Sequence, residues 1–134
     1  FYQDGNGVIR TSKWQNFIDG NISVVRLAEM YLTRAEGNFI LGETVGDTPA
    51  NDLNAVRNRV GLTPNLTPVL DDIRNERFLE LAFEGHFLHD LKLWEQTQPN
   101  SGLSWNANEL VYPIPQRERD ANSNLSQNPG YGGS

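Results

Sequence analysis

Residues Glu76 to Trp94 read ERFLELAFEGHFLHDLKLW. On a helix, Glu76, Glu80 and Glu84 recur every fourth residue and form one acidic stripe, with Ile73 and Leu81 on one flank and Phe83 on the other. Phe78, Leu79, Leu81, Ala82 and Phe83 are apolar, the pattern of a helix covered on several sides. A partly covered carboxylate needs a cation or a donor, because an unpaired charge taken out of water is costly. The rest of the chain is expected to supply those cations. Gly85 should break the helix, and His86, Phe87, Leu88, His89, Asp90, Leu91 and Trp94 then read as a second short amphipathic turn packed back on the first.

Upstream, a helix is expected from Val24 to Leu41, with Ser23 as N-cap and Gly42 ending it. Val24, Ala28, Tyr31, Leu32, Ala35 and Phe39 share one face, whose central alanines allow another helix axis to approach closely. Thr48-Pro49 is a cap and first-turn signal for a helix through Leu53, Val56 and Val60 that Gly61 terminates. Its Arg57 and Arg59 are the natural partners of the later glutamates, together with Arg77. Thr67-Pro68 repeats the starting signal, and Asp71 and Asp72 suit a first turn electrostatically. Before these helices, Asp4-Gly5-Asn6-Gly7 is a turn signal between Phe1-Tyr2 and Val8-Ile9 that suits either a hairpin or an irregular approach, and the lead-in, residues 1–23, is read as irregular.

Downstream of Trp94 the helical period stops. Gln96 to Asn108 is a polar loop, and Leu110-Val111-Tyr112 before Pro113-Ile114-Pro115 should be extended, since each proline disfavours helix for itself and its predecessor. Arg117 to Asp120 suits one helical turn. The Asn-, Gly- and Ser-rich tail is either pinned by side chains such as Leu125 and Tyr131 or mobile. The expected architecture is mostly α: helical hairpins over residues 24–94, then a long irregular C-terminal wrap over 95–134.

At 134 residues the chain is one domain's worth. A net charge of −6, with arginines set inside helical patterns, disfavours nucleic acid. No cysteine is present, so disulfides and thiolate metal sites are excluded. No apolar run approaches the roughly 20 residues of a membrane span. The opening FYQDGNG, with neither initiator Met nor signal peptide, predicts a piece of something longer.

Three chemistries are open to these residues. Glu76, Glu80, Glu84 and Asp90 could be the paired carboxyls of a glycoside hydrolase, but a structural ion network with Arg57, Arg59 and Arg77 explains them more simply. His86 and His89 beside Asp90 lack an accompanying His-Glu-x-x-His or Glu-x-x-His pattern, so no metal and no cofactor is expected. A sugar site needs an aromatic face, and Trp105, between Ser104 and Asn106, and Trp14, near Gln15 and Asn16, are the candidate platforms.

Four strings, RLAEMYLTRAEGNFILG (Arg26 to Gly42), DLNAVRNRVGL (Asp52 to Leu62), ERFLELAFEGHFLHDLKLW and YPIPQRERDANSNLSQNPGY (Tyr112 to Tyr131), resemble in the right order the C-terminal region of the SusD/RagB family. The resemblance implies tetratricopeptide-like helical pairs with irregular loops. It implies a non-enzymatic nutrient- or glycan-binding lipoprotein on the outer-membrane surface of Bacteroidota, partnered by a SusC-like TonB-dependent transporter. Contact with the membrane would be through an N-terminal lipid anchor absent from this sequence. Where the family often carries arginine, this chain has Phe87 and Leu93, so the family's local ion pairing cannot be copied here. The alternatives are a helical-repeat protein-interaction module without a small-molecule site and, third, the carboxylate-based hydrolase.

Overall fold

The computed structural model describes residues 2–11, 13 and 24–132. The chain divides into two compact units, residues 1–85 and 86–134, each described here by itself. Trp14 and Ser23 lie outside the described residues.

The first unit opens on a hairpin, not the irregular lead-in the sequence suggested. Strands β1 (Tyr2–Gln3) and β2 (Ile9–Arg10) pair antiparallel, Tyr2 opposite Arg10 and Gln3 opposite Ile9. Asp4 makes the turn: its Oδ1 accepts from the amides of Asn6 and Val8, both at 3.0 Å, and its Oδ2 accepts from Arg10 Nε at 2.5 Å. A carboxylate that satisfies two turn amides and one guanidinium stabilises a turn locally, which alternation in so short a segment could not signal.

Three helices follow, α1 (Leu27–Leu41), α2 (Pro49–Arg59) and α3 (Leu70–Glu80). Helix α1 starts three residues later than its period suggested. Arg26 is the N-cap, extended at φ −122° and ψ 146°, and its side chain reaches Glu80 and Glu84 instead of capping the helix. Val24 therefore leaves the helix phase and is 85% exposed. At the other end Gly42 takes φ 68°, where a Cβ would be strained. Thr48 caps α2 as expected, its Oγ1 accepting from Asn51 N at 3.2 Å, and Pro49 occupies the first turn. Helix α3 is not capped by Thr67. Its N-cap is Val69, whose amide donates to Asp72 Oδ2 at 3.0 Å, so the third helical residue caps backwards where the cap residue has no acceptor side chain.

The core is small. Leu32 and Ala35 of α1, Leu53 and Val56 of α2 and Ile73 of α3 are buried together, with Ala28 and Tyr31 packed on them. Helix α1 packs against both α2 and α3, so it is the shared element and its alanines sit at the junction. The expectation that α3 is covered on several sides is not met: Ile73, Glu76 and Arg77 are buried, but Phe78 and Leu79 are exposed. Helix α3 also stops at Glu80, before Gly85, with Phe83 at φ 66° and Gly85 at φ 84° in the following turn. Glu84 is therefore not on the helix that its spacing implied. These are tetratricopeptide-like helical pairs in a mostly α fold, and their loops are fastened by asparagine side chains. Asn38 Nδ2 donates to the carbonyls of Val45 and Asp47 at 3.1 and 2.9 Å, and its Oδ1 accepts from Val45 N. Asn54 does the same for Asn65, both bonds at 2.8 Å.

In the second unit α4 (Phe87–Leu93) buries Asp90 and Leu91. A 3-10 turn covers Asn108–Leu110, and the expected extension begins only at Val111. The prolines constrain Tyr112 and Ile114, whereas Leu110 is free to donate its amide to the Ala107 carbonyl at 3.0 Å. Helix α5 (Gln116–Ala121) is the helical turn predicted around Arg117 to Asp120.

The tail is pinned, chiefly by residues other than Leu125, which is 40% exposed. Gln127 Oε1 accepts from Ile114 N at 2.7 Å and its Nε2 donates to Ile114 O at 3.0 Å. Asn128 Nδ2 donates to Tyr112 O at 2.7 Å, and Tyr131 hydroxyl donates to Val111 O at 2.6 Å. These side chains stand in for a neighbouring strand beside a proline-rich segment that cannot form a full ladder. Gln127→Ala is expected to speed amide exchange at Ile114 by more than tenfold, on the basis of about 1.4 kcal/mol of local opening energy lost, with exchange in α1 unchanged. Equal rates in variant and wild type would contradict that.

Candidate functional site

The acidic row is where the most cations converge. Glu76, 5% exposed, accepts from Arg57 Nη1 at 2.7 Å, and Arg57 also donates through Nε and Nη2 to Thr63 O at 3.1 and 3.0 Å. Glu80 accepts from Arg59 Nη2 at 2.7 and 2.9 Å and from Arg26 Nη1 at 2.8 Å. Glu84 accepts from Arg26 Nε at 2.9 Å, and its other oxygen lies 2.5 Å from Lys13 Nζ. Arg26 and Lys13 were not singled out from sequence, and both do a second job. Arg26 Nη2 donates to the Glu80 carbonyl at 3.0 Å, and Lys13 Nζ donates to the carbonyls of Glu80 and Ala82 at 2.8 and 2.9 Å. Two cations thus cover the carbonyl end of α3, where a helix favours positive charge, and hold the turn that carries Phe83 in a conformation unusual for an aromatic residue.

Arg77 is not part of this row. It donates to Thr33 Oγ1 at 3.0 Å and lies 3.9 Å from Glu29, joining α3 to α1. Asp90 belongs to the second unit, buried on α4. Two further pairs tie the helices: Arg34 grips Asp52 with two bonds of 2.8 and 2.6 Å, and Arg74 donates to Glu36 at 2.9 Å. Gly46 lets the first of these pass. It has φ 79°, and a Cβ there would overlap the Arg34 guanidinium.

Burial pushes the Glu84 carboxyl up, but hydrogen bonds and charge from Arg26 and Lys13 outweigh it and hold the group below the usual carboxylate range. Burial also opposes the charge on Arg26, while Glu84 and Glu80 more than compensate and raise its pKa. Every oxygen-bearing side chain of the row is therefore turned to a cation. For Glu84 that favours the ionised form, the opposite of what a proton donor needs.

Each unit carries a cleft. The first, about 240 Å³, is lined by Arg26, Leu27, Ala28, Tyr31, Ala55, Val56 and Arg59 along α1 and α2. The second, about 130 Å³, is lined by Leu88, Glu109, Leu110, Val111 and Tyr112. Trp105 is half-buried in a turn whose ends are tied by Ser104 Oγ donating to Asn106 Oδ1 at 2.8 Å and Ala107 N donating to Ser104 O at 3.0 Å. His86 is half-buried and His89 exposed, and among the described residues no group of three or more His, Asp or Glu side chains is placed to hold a metal ion. Tyr112 was read only as extended backbone, yet it is 91% exposed. The available signal was an aromatic residue directly before a proline in a polar stretch.

This helical arrangement with its C-terminal irregular segment is that of a known class. The SusD family model matches residues 8–109, and the chain belongs to that family. It is 32% identical over 154 residues to the starch-binding protein SusD of Bacteroides thetaiotaomicron, covering 97% of this chain and 27% of that protein. A putative sugar binding protein from Bacteroides vulgatus is 30% identical with a TM-score of 0.73, over 87% of this chain and 30% of its own. A SusD-like protein from Bacteroides fragilis is 26% identical with a TM-score of 0.65, over 89% of this chain and 29% of its own. The chain thus spans less than a third of the length of these relatives.

The charge geometry makes two measurements decisive. Arg57→Ala is expected to destabilise by roughly 3 kcal/mol, because it leaves Glu76 buried without its cation. Arg59→Ala, whose side chain is 57% exposed and whose partner Glu80 keeps Arg26, is expected to cost less than about 1 kcal/mol. Chemical denaturation that ranks the two variants the other way would refute this account of the row. Separately, a folded-state pKa below the unfolded one means that Glu84 contributes stability above about pH 4.3 that is lost as pH falls through the folded value. Glu84→Gln should therefore flatten the acid limb of the stability profile, and identical limbs would show that Glu84 is not perturbed.

Proposed function

We propose that this chain is part of a non-catalytic, glycan-binding component of an outer-membrane nutrient-uptake system, working with a SusC-like TonB-dependent transporter. Its helices act as scaffold and its loops face the ligand. The observation that carries this reading is the engagement of Glu76, Glu80 and Glu84 by Arg57, Arg59, Arg26 and Lys13. Carboxylates held in that way are architectural, and no pair of them is left to act as acid and base across a glycosidic bond. Membership of a family whose relatives include a starch-binding protein and a putative sugar binding protein supports a carbohydrate ligand. No helix among the described residues is long and apolar enough to cross a membrane. Trp105, and Trp14 by its sequence context, are the aromatic residues proposed to face ligand, and the structural ion network is proposed as Glu76, Glu80 and Glu84 with Arg57, Arg59, Arg26 and Lys13, without the Arg77 and Asp90 that the sequence suggested.

Titration with a broad panel of oligosaccharides should quench tryptophan fluorescence without releasing new reducing ends. Trp105→Ala or Trp14→Ala should weaken that response about tenfold if the ring packs on a sugar, a loss of about 1.4 kcal/mol. No response from any glycan would favour a protein-interaction module instead. Hydrolysis abolished by Glu80→Gln at unchanged melting temperature would establish an enzyme.

A further inference from the structure

We infer that Tyr112 and Glu109 form a subsite for a neutral pyranose, an inference that rests on the glycan-binding reading and adds where on this chain one sugar is held. Tyr112 is 91% exposed at the edge of the cleft lined by Leu88, Glu109, Leu110 and Val111. An aromatic ring so far out of any core contributes nothing to packing in this unit, yet its backbone is among the most firmly tied in the tail. Pro113 restricts Tyr112 to extended conformations. The carbonyl of Tyr112 accepts from Asn128, that of Val111 from Tyr131, and both backbone groups of Ile114 are bound by Gln127. A ring on a fixed backbone gives up only two side-chain torsions when a ligand covers it, so little of the contact energy is spent on ordering.

The chemistry of the cleft selects the ligand class. A tyrosine ring offers an apolar face to the C–H side of a pyranose and a hydroxyl at its tip to the sugar's own hydroxyls. Glu109, exposed on the 3-10 turn, can accept from two vicinal hydroxyls in charge-assisted bonds. The same carboxylate, in a chain of net charge −6, repels uronic and sialic acids. The cleft beside the ring is small, about 130 Å³.

Calorimetric titration of the full chain with maltoheptaose, cellohexaose, xylohexaose and mannohexaose, and with trigalacturonate as the acidic comparator, tests this. At least one neutral probe should bind the wild type. Tyr112→Ala should weaken that binding about tenfold, as expected for losing a buried ring contact of about 1.4 kcal/mol. Tyr112→Phe should stay within about threefold, having lost one hydroxyl contact. Glu109→Gln should weaken the neutral probe and narrow its advantage over trigalacturonate. Unchanged binding by Tyr112→Ala, in a variant that melts with the wild type, overturns the subsite and leaves the glycan-binding reading standing. Tighter binding of trigalacturonate than of any neutral probe overturns the ligand class, and no binding by the wild type overturns both readings.

Discussion

Carboxylates withdrawn from water must be matched by cations, and in the first unit that requirement decides where almost everything sits. Among the described residues the apolar cluster between the helices is small, built on Leu32, Ala35, Leu53, Val56 and Ile73. Each pair of helices is also joined by charge: α1 to α2 through Arg34 and Asp52, α1 to α3 through Arg74 and Glu36, and α2 to α3 through Arg57 with Glu76 and Arg59 with Glu80. Helix α1 packs on both neighbours, while the arginines of α2 reach α3 with long side chains. A wrong register would leave a buried acid alone, so the pairs favour one arrangement over others more than they add to stability.

The same constraint ends α3. Its last carbonyls and the two acids beside them attract Arg26 and Lys13, and those contacts hold a turn in which Phe83 has positive φ. Arg26 is thereby drawn out of the helix it precedes, which shortens α1. One set of bonds thus fixes the start of one helix and the end of another.

Where charge does not serve, carboxamides do. Asn38, Asn54, Gln127 and Asn128 each bond main-chain groups of an irregular segment. A primary amide presents a donor and an acceptor in the geometry of a peptide, so it satisfies irregular backbone at a distance. The result is a scaffold whose loops are stiff without regular structure. A pre-ordered loop loses less entropy if it meets a partner.

Periodicity and cap chemistry determined much of this in advance. The mostly α class, Thr48 as cap, Gly42 as stop, and Leu32, Ala35, Leu53 and Val56 as inward positions could be read from residue spacing, although Val24, Phe39 and Val60, placed on the same faces, are exposed; four motifs carried the family resemblance. Spacing also put Glu76 and Glu80 on one face and Arg57 and Arg59 on a neighbouring helix. Local pattern could not reveal Arg26 and Lys13, which lie 54 and 67 residues from the Glu80 groups they bind. Nor could it reveal that Glu84 follows the helix and is not part of it, or that Gln127 and Asn128 replace a strand for Val111 to Ile114. These depend on contacts between segments distant in the chain, and whether a side chain such as Tyr112 is covered or bare is a property of what folds over it. Helical phase is a local energy and is written in neighbours, whereas charge pairing and exposure are set only when the chain has closed on itself.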